Sequence, residues 1–123
     1  MTTRTFVLGT RGSRLALAQS TTVARAIEEA GARLGEDVRV DLEVVRTHGD
    51  VSAAPLAALG GVGVFAAQLR LALLGGECDL AVHSFKDLPT APTPGLRIAA
   101  VPQREDPRDA LCAADGATLA WQR

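Results

Sequence analysis

The amino-acid sequence predicts an α/β fold in which a mainly parallel sheet is flanked by helices. Strand-like and helix-like segments alternate, with strands predicted at residues 5–9, 38–45, 80–82 and 96–101 and helices at residues 14–30 and 64–74. This alternation favours parallel pairing, because each helix carries the chain back across the sheet. Hydrophobic residues make up 47% and charged residues 22% of the chain, which is typical of a globular protein.

The first strand and helix are the best defined by local pattern. Residues 5–9 form the apolar run, and residues 10–13 form the turn that follows it. Ser13 is a suitable N-cap, because its hydroxyl can accept hydrogen bonds from the first helical turn. Gly31 is predicted to end the helix. Three- and four-residue spacing predicts that its buried face is formed by Leu15, Ala16, Val23, Ala26, Ile27 and Ala30.

The remaining elements follow in order. Residues 38–45 alternate apolar and polar side chains, which indicates a half-exposed strand. The polar cluster at residues 47–50 is interpreted as a turn in preference to a ligand site. A glycine-rich loop at residues 60–63 precedes the second helix, which ends at residues 75–76. Residues 80–82 are predicted to form a short buried strand, and residues 110–113 to begin a fifth strand.

Composition excludes several classes of function. With 123 residues the chain has the length of one modest domain, and its formal net charge of -1 gives no support for nucleic-acid binding. No apolar run of about 18 residues indicates a membrane span, and no secretion signal is recognised, so a cytoplasmic location is expected. The two cysteines, Cys78 and Cys112, and the two histidines, His48 and His83, are scattered along the chain. We therefore expect no metal site and two reduced thiols.

Two clusters of polar side chains follow predicted strands. Arg11 and Ser13 together would form an anion site at a helix N-terminus, although local sequence favours a simple cap at Ser13 with Arg11 in solvent. Ser84, Lys86 and Asp87 follow the third strand, where open α/β sheets carry their chemistry. If this segment is extended, Ser84 and Lys86 share one side of it. The glycine loop lacks the Lys-Ser/Thr of a phosphate-binding loop, so it is interpreted as a flexible loop, with a flap over a cleft as the alternative.

These motifs together resemble the porphobilinogen deaminase (hydroxymethylbilane synthase) family. The resemblance rests on Gly-Thr-Arg-Gly-Ser-Arg-Leu-Ala at residues 9–16, Thr-His-Gly-Asp at 47–50, Gly-Gly-Val-Gly-Val-Phe at 60–65, Ala-Val-His-Ser-Phe-Lys-Asp-Leu-Pro at 81–89 and Arg-Glu-Asp-Pro-Arg-Asp at 104–109. The resemblance implies one lobe of a type II periplasmic-binding-protein-like fold, incomplete here. It also implies a cytosolic, usually monomeric transferase of porphyrin and haem biosynthesis, which joins four porphobilinogen units into hydroxymethylbilane and releases ammonia.

The resemblance also implies roles for single residues. Asp87 matches the catalytic aspartate, and Arg11, Ser13, Ser84 and Lys86 match residues that hold the carboxylates of substrate and cofactor. Gly60, Gly61, Gly63 and Phe65 match the active-site loop. The family's dipyrromethane cofactor is attached to a cysteine that neither Cys78 nor Cys112 matches. No membrane or nucleic acid is implied as a partner.

The chain departs from the family pattern in sequence and in length. Val62 stands where the loop usually carries a lysine, Gln68 and Arg70 stand where acidic residues are usual, and Gln103 replaces a frequent Glu. We expect an N-terminal fragment, with residues 1–102 forming most of domain 1 without its returning segment and residues 103–123 opening domain 2. Such a fragment should be inactive and should expose apolar surface. The alternative is a non-catalytic module that binds small anions.

Overall fold

A computed structural model describes residues 2–46 and 66–108 of the chain. The elements follow in the order β1 (Arg4–Thr10), α1 (Arg14–Arg33), β2 (Val38–Val44), α2 (Ala67–Leu74), β3 (Leu80–Ala81) and a short 3₁₀ helix (Phe85–Asp87). The three strands form one parallel sheet in the order β2-β1-β3. The predicted α/β class with a parallel sheet and flanking helices is therefore confirmed.

Strand β1 lies at the centre of this sheet. It pairs with β2 along its whole length, from Arg4 opposite Val38 to Thr10 opposite Val44. On the other side Leu8 and Gly9 pair with β3. Because all pairs are parallel, the carboxyl ends of the strands meet at one edge, and that edge carries the site described below.

Strand β3 is short, and Asp79 extends its pairing with β1. The backbone N–H of Asp79 donates to the carbonyl of Val7 at 2.9 Å, and the Asp79 carboxylate accepts from the N–H of Val7 at 2.8 Å. Asp79 therefore provides hydrogen-bond partners for both the N–H and the carbonyl of Val7. The two residues of β3 alone would leave these two groups without partners on that side of β1. The predicted short buried strand at residues 80–82 is present as Leu80–Ala81, but its residues are half-buried and not buried.

The two helices cover opposite faces of the sheet. Leu8, Ala24 and Val40 form the buried core beneath α1. The next residue of β1, Gly9, faces the other way, because successive residues of a strand point to opposite faces. A Cβ on Gly9 would lie 2.8 Å from Sγ of Cys78 and 3.1 Å from Leu69 of α2. Glycine is therefore required there by close packing.

Helix α1 begins after Ser13 as predicted, but it differs from its prediction at its C-terminal end and in its buried face. It continues past Gly31 to Arg33, with Leu34 as its C-cap. Gly31 is buried inside the helix, where a Cβ would lie 2.5 Å from Cγ2 of Val38, so its role is close packing on β2 and the predicted cap is wrong. Leu15 and Ala26 are exposed, in contrast to the predicted buried face.

The predicted strand at residues 96–101 is also wrong. This segment pairs with no other part of the described chain, and Ile98 and Val101 are 60% and 79% exposed. The second helix ends at Gly75 and Gly76 as predicted, and Gly76 has a φ of 75°. Residues 47–50, 60–65 and 110–113, on which other predictions rest, lie outside the described residues.

Candidate functional site

A small open cleft lies at the carboxyl ends of β1 and β3, beside the N-terminus of α1. Three segments contribute to it: the turn after β1, the first turns of α1, and the chain that follows β3. The residues that line it are Arg11, Ser13, Leu15, Ala16, Gln19, Val82, His83, Ser84 and Asp87. The cleft therefore combines a guanidinium, two hydroxyls, an amide, an imidazole and one carboxylate.

Ser13 begins helix α1 as predicted. Its Oγ accepts from the backbone N–H of Ala16 at 3.3 Å, and its carbonyl accepts from the N–H of Leu17 at 2.9 Å. The hydroxyl proton of Ser13 remains available to a ligand, since the cap uses the oxygen only as an acceptor. No acidic residue lies in the first turn of this 20-residue helix, so its positive end is not neutralised by its own side chains.

The turn that carries Arg11 is fixed by buried hydrogen bonds. The hydroxyl of Thr10 donates to the carbonyl of Arg11 at 3.0 Å and accepts from the hydroxyl of Ser20 at 2.8 Å. Thr10 and Ser20 are both fully buried. The carbonyl of Thr10 in turn accepts from the N–H of Val45 at 2.8 Å. The peptide after Arg11 is thereby held to α1 through Thr10 and Ser20, and the peptide before Arg11 is held to the residue that follows β2.

The chain after β3 forms a tight turn, so the extended conformation considered for residues 84–87 is wrong. The N–H of Asp87 donates to the carbonyl of Ser84 at 2.9 Å, which closes one turn of 3₁₀ helix. This turn brings Ser84 and Asp87 to the cleft together. Lys86 lies between them in sequence but is exposed and is not among the residues that line the cleft.

His83 is a half-buried titratable residue at the cleft. Its Nε2 atom is buried and has no hydrogen-bond partner in the described part of the chain. Burial lowers the pKa of His83, and the positive charges of Arg11 and Arg70 lower it further against the opposing effect of Asp87. The imidazole is therefore neutral at pH 7, and it leaves the charge of the Asp87 carboxylate uncompensated by an imidazolium.

Four of the predicted site residues come together in the cleft, namely Arg11, Ser13, Ser84 and Asp87. The predicted loop residues Gly60, Gly61, Gly63 and Phe65 lie outside the described residues. Sequence reasoning missed Gln19 and His83 as parts of this site. No local signal pointed to Gln19, because it lies four residues after Leu15, which the spacing assigns to the buried face of α1.

The described ranges contain no group of three or more His, Cys, Asp or Glu side chains arranged to hold a metal ion. They also contain no helix that is both long and apolar enough to cross a membrane. The polar cleft groups suit a different ligand. Guanidinium and hydroxyl donors bind carboxylates, and a carboxylate binds N–H groups or a cation.

Residues 6–122 match the family model described as "Porphobilinogen deaminase, dipyromethane cofactor binding domain". The chain belongs to the porphobilinogen deaminase family. The resemblance inferred from the sequence motifs is thereby confirmed. The match covers most of the chain, including every residue that lines the cleft.

Curated members of the family show the same relationship. The chain is 58% identical over 112 residues to the porphobilinogen deaminase of Cutibacterium acnes, covering 91% of this chain and 32% of that protein. It is 58% identical over 109 residues to that of Leifsonia xyli, covering 89% and 32%. It is 52% identical over 119 residues to porphobilinogen deaminase 1 of Streptomyces coelicolor, covering 97% and 36%. The chain therefore spans about a third of the length of these relatives.

Proposed function

We propose that this chain supplies one wall of the active site of a hydroxymethylbilane synthase, which joins four porphobilinogen units head to tail and releases ammonia. The observation that carries the proposal is the joint presence of Arg11, Ser13, Ser84 and Asp87 at one cleft. The names of the relatives point to the same substrate. We infer a cytoplasmic location from the family resemblance.

The donors in the cleft suit the carboxylates of a pyrrole substrate. Porphobilinogen carries an acetate and a propionate, so a site for it needs cations and hydroxyls. Arg11 supplies a guanidinium whose planar donors match a carboxylate, and Ser13 adds a hydroxyl at the positive end of α1. Ser84 adds a second hydroxyl. Lys86 is exposed beside the cleft, where we propose that it attracts anionic ligands from solvent.

Asp87 is the proposed catalytic residue. Loss of ammonia from the protonated aminomethyl group of porphobilinogen breaks its carbon–nitrogen bond, and it leaves a cationic azafulvene. A carboxylate beside this carbon stabilises the positive charge and accepts a hydrogen bond from a pyrrole N–H. Asp87 is the only carboxylate among the described residues that line the cleft, so we assign the stabilisation of this charge to Asp87.

The cleft also fits the non-covalent part of a dipyrromethane cofactor. Such a cofactor, when bound, supplies the primer to which new pyrroles are joined. Arg11, Ser13 and Ser84 would hold its carboxylates, and Asp87 would accept from its N–H groups. Cys78 does not fit covalent attachment: it is 5% exposed against Gly9, and burial raises the pKa of its thiol. We therefore do not assign attachment to Cys78, and Cys112, which lies outside the described residues, does not match the family's attachment cysteine in sequence.

We accordingly propose that the 123-residue chain alone is inactive. The test is incubation of the purified chain with porphobilinogen, followed by absorbance detection of bilane and, after oxidation, of uroporphyrin. No product above a heat-treated sample is expected. Clear turnover by the chain alone would contradict this proposal.

The role of Asp87 is tested in a hybrid protein, in which this chain replaces the matching third of the Cutibacterium acnes relative. We expect the hybrid to consume porphobilinogen and Asp87→Asn to reduce kcat by about a hundredfold or more, because the amide cannot balance the developing charge. Asp41→Asn on β2, away from the cleft, is the matched control. Equal activity of the Asp87→Asn and Asp41→Asn hybrids would rule out the proposed role of Asp87.

A binding experiment separates this proposal from the rival reading as a non-catalytic anion-binding module. Calorimetric titration of the chain with porphobilinogen, with amino acids and with inorganic phosphate compares the ligand classes. Preference for porphobilinogen supports the transferase. Equal or better binding of inorganic phosphate would favour the module instead.

A further inference from the structure

His83 is not used in the proposed chemistry, yet it lines the cleft. It lies in the segment between β3 and the 3₁₀ helix, next to Ser84, and it lines the same cleft as Arg11 and Asp87. Its Nε2 atom is shielded from solvent and unpartnered in the part of the chain that the structure describes. A buried polar atom without a hydrogen bond lowers stability, so its presence at a binding cleft requires an explanation.

We propose that His83 is a ligand-binding residue that takes up a proton when a small polycarboxylate enters the cleft. The inference rests on the proposed function for the identity of the natural ligand, but it applies to any dicarboxylate that the cleft accepts. Protonation makes both ring nitrogens donors, so Nε2 gains a hydrogen to give to a ligand oxygen after a small side-chain adjustment.

The charges around His83 explain why the proton arrives with the ligand. Three charged groups of the described chain act on the imidazole: Asp87 on the 3₁₀ helix, Arg11 on the turn after β1, and Arg70 on α2. In the empty cleft, burial and the two guanidinium groups outweigh Asp87 and keep the ring neutral. An entering carboxylate adds negative charge beside the ring, which offsets the cations and favours the imidazolium.

The linkage has a definite sign. The pKa of His83 is lowered in the empty cleft and rises when the anion is bound, so binding takes up a proton in the pH range between the two values. Affinity for a carboxylate ligand therefore increases as pH falls through the bound-state pKa. Ligand carboxylates remain largely ionised above about pH 6, so their own titration does not produce this effect.

The test uses the full chain and two probes, porphobilinogen and succinate. Imidazole resonances of His83 are followed by NMR with and without each probe, and the affinity is measured at about pH 8.0 and about pH 6.5. We expect the His83 pKa to rise on binding and the affinity to increase at least about threefold at the lower pH. Titration in two buffers of different ionisation enthalpy should show net proton uptake.

Two variants make the result specific. His83→Gln keeps a donor near the position of Nε2 but cannot titrate, so the pH dependence and the proton uptake should disappear while weaker binding persists. His48→Gln removes the other histidine of the chain and should leave both effects intact. The NMR titration of the unmodified chain gives the same information if His83→Gln does not fold.

The possible outcomes separate this inference from the proposed function. Binding of porphobilinogen without proton uptake, or uptake abolished by His48→Gln, overturns the role of His83 and leaves the transferase proposal in place. Binding of succinate with uptake through His83, but no binding of porphobilinogen, supports the role of His83 and contradicts the proposed substrate. If neither probe changes the His83 resonances, the cleft is not a carboxylate site and both proposals fall.

Discussion

At the scale of single residues, the cleft depends on which side chains are charged. Asp87 is its only carboxylate among the described residues, and His83 beside it is held neutral by burial and by Arg11 and Arg70. A neutral imidazole cannot form an ion pair with Asp87. In the unliganded cleft the carboxylate is therefore available for a pyrrole N–H or for positive charge on the substrate.

The same neutral histidine predicts how stability depends on pH. The pKa of His83 is lowered in the folded chain, so the unfolded chain binds more protons when pH falls below the ordinary histidine value of about 6.5. His83 therefore contributes stability above that pH, and the contribution is lost as pH falls toward the folded-state pKa. Urea denaturation at several pH values should show this loss in the unliganded chain and a smaller loss in His83→Gln. Identical pH profiles of the two proteins would contradict it.

At the scale of elements, the buried hydroxyls of Thr10 and Ser20 connect the end of β1 to helix α1. Thr10→Val preserves shape but leaves the Ser20 hydroxyl and the Arg11 carbonyl without their partner. We expect it to cost about 1–3 kcal/mol of unfolding free energy, and Ser20→Ala to cost about 1 kcal/mol. The double variant should cost less than the sum, because both substitutions remove the same bond.

The control for this pair is Thr22→Ala on the same helix. The hydroxyl of Thr22 is exposed and donates to the carbonyl of Ala18 at 3.0 Å, so its removal should change stability by less than about 0.5 kcal/mol. Thermal and urea denaturation followed by circular dichroism measure the unmodified chain and the four variants. Strict additivity of Thr10→Val and Ser20→Ala would show that the two hydroxyls act separately.

The contact between α1 and β2 gives a second prediction at this scale. In Gly31→Ala the new methyl group would lie 2.5 Å from Cγ2 and 2.8 Å from Cβ of Val38. We expect a loss of about 1–3 kcal/mol despite the higher helix propensity of alanine. Adding Val38→Ala should relieve the clash. The double variant should therefore lose less unfolding free energy than the sum of the losses in the two single variants. Stabilisation by Gly31→Ala alone would contradict this prediction, because it would show that α1 shifts away from Val38 without loss of unfolding free energy.

How far sequence predicts structure here depends on the range of the interactions. Helix α1, β2 and the Ser13 cap follow from local spacing, and the parallel order follows from their alternation. The packing role of Gly31 depends on Val38, which the chain places beside it only after folding. The 3₁₀ turn at residues 84–87 and the approach of His83 to Arg11 likewise depend on how β3 pairs with β1. Site residues from separate segments were therefore predictable singly, but not their contacts.

At the scale of the whole molecule, the segment at residues 96–101 shows the limit of a local prediction. Its apolar pattern suits a strand, but a strand requires a neighbouring backbone, and the described part of the chain offers it none. We propose that residues 1–102 belong to domain 1 and that this segment gains its partner in a longer protein. Large apolar side chains are exposed in this chain, among them Phe85 at 75% and Val101 at 79%. Their exposure supports the proposal, because such surface is commonly covered by further protein.

This domain assignment is tested by comparing one substitution in two proteins. Val101→Thr should change the stability of the 123-residue chain by less than about 0.5 kcal/mol, because the side chain is exposed there. In the hybrid with the Cutibacterium acnes relative, the same change should cost about 1–3 kcal/mol if residues 96–101 become a buried strand. Leu34→Thr, at a side chain 78% exposed on the C-cap of α1, is the matched control in both proteins. Equal small effects of Val101→Thr in the chain and the hybrid would mean that the segment stays exposed, and that domain 1 is not completed at this edge.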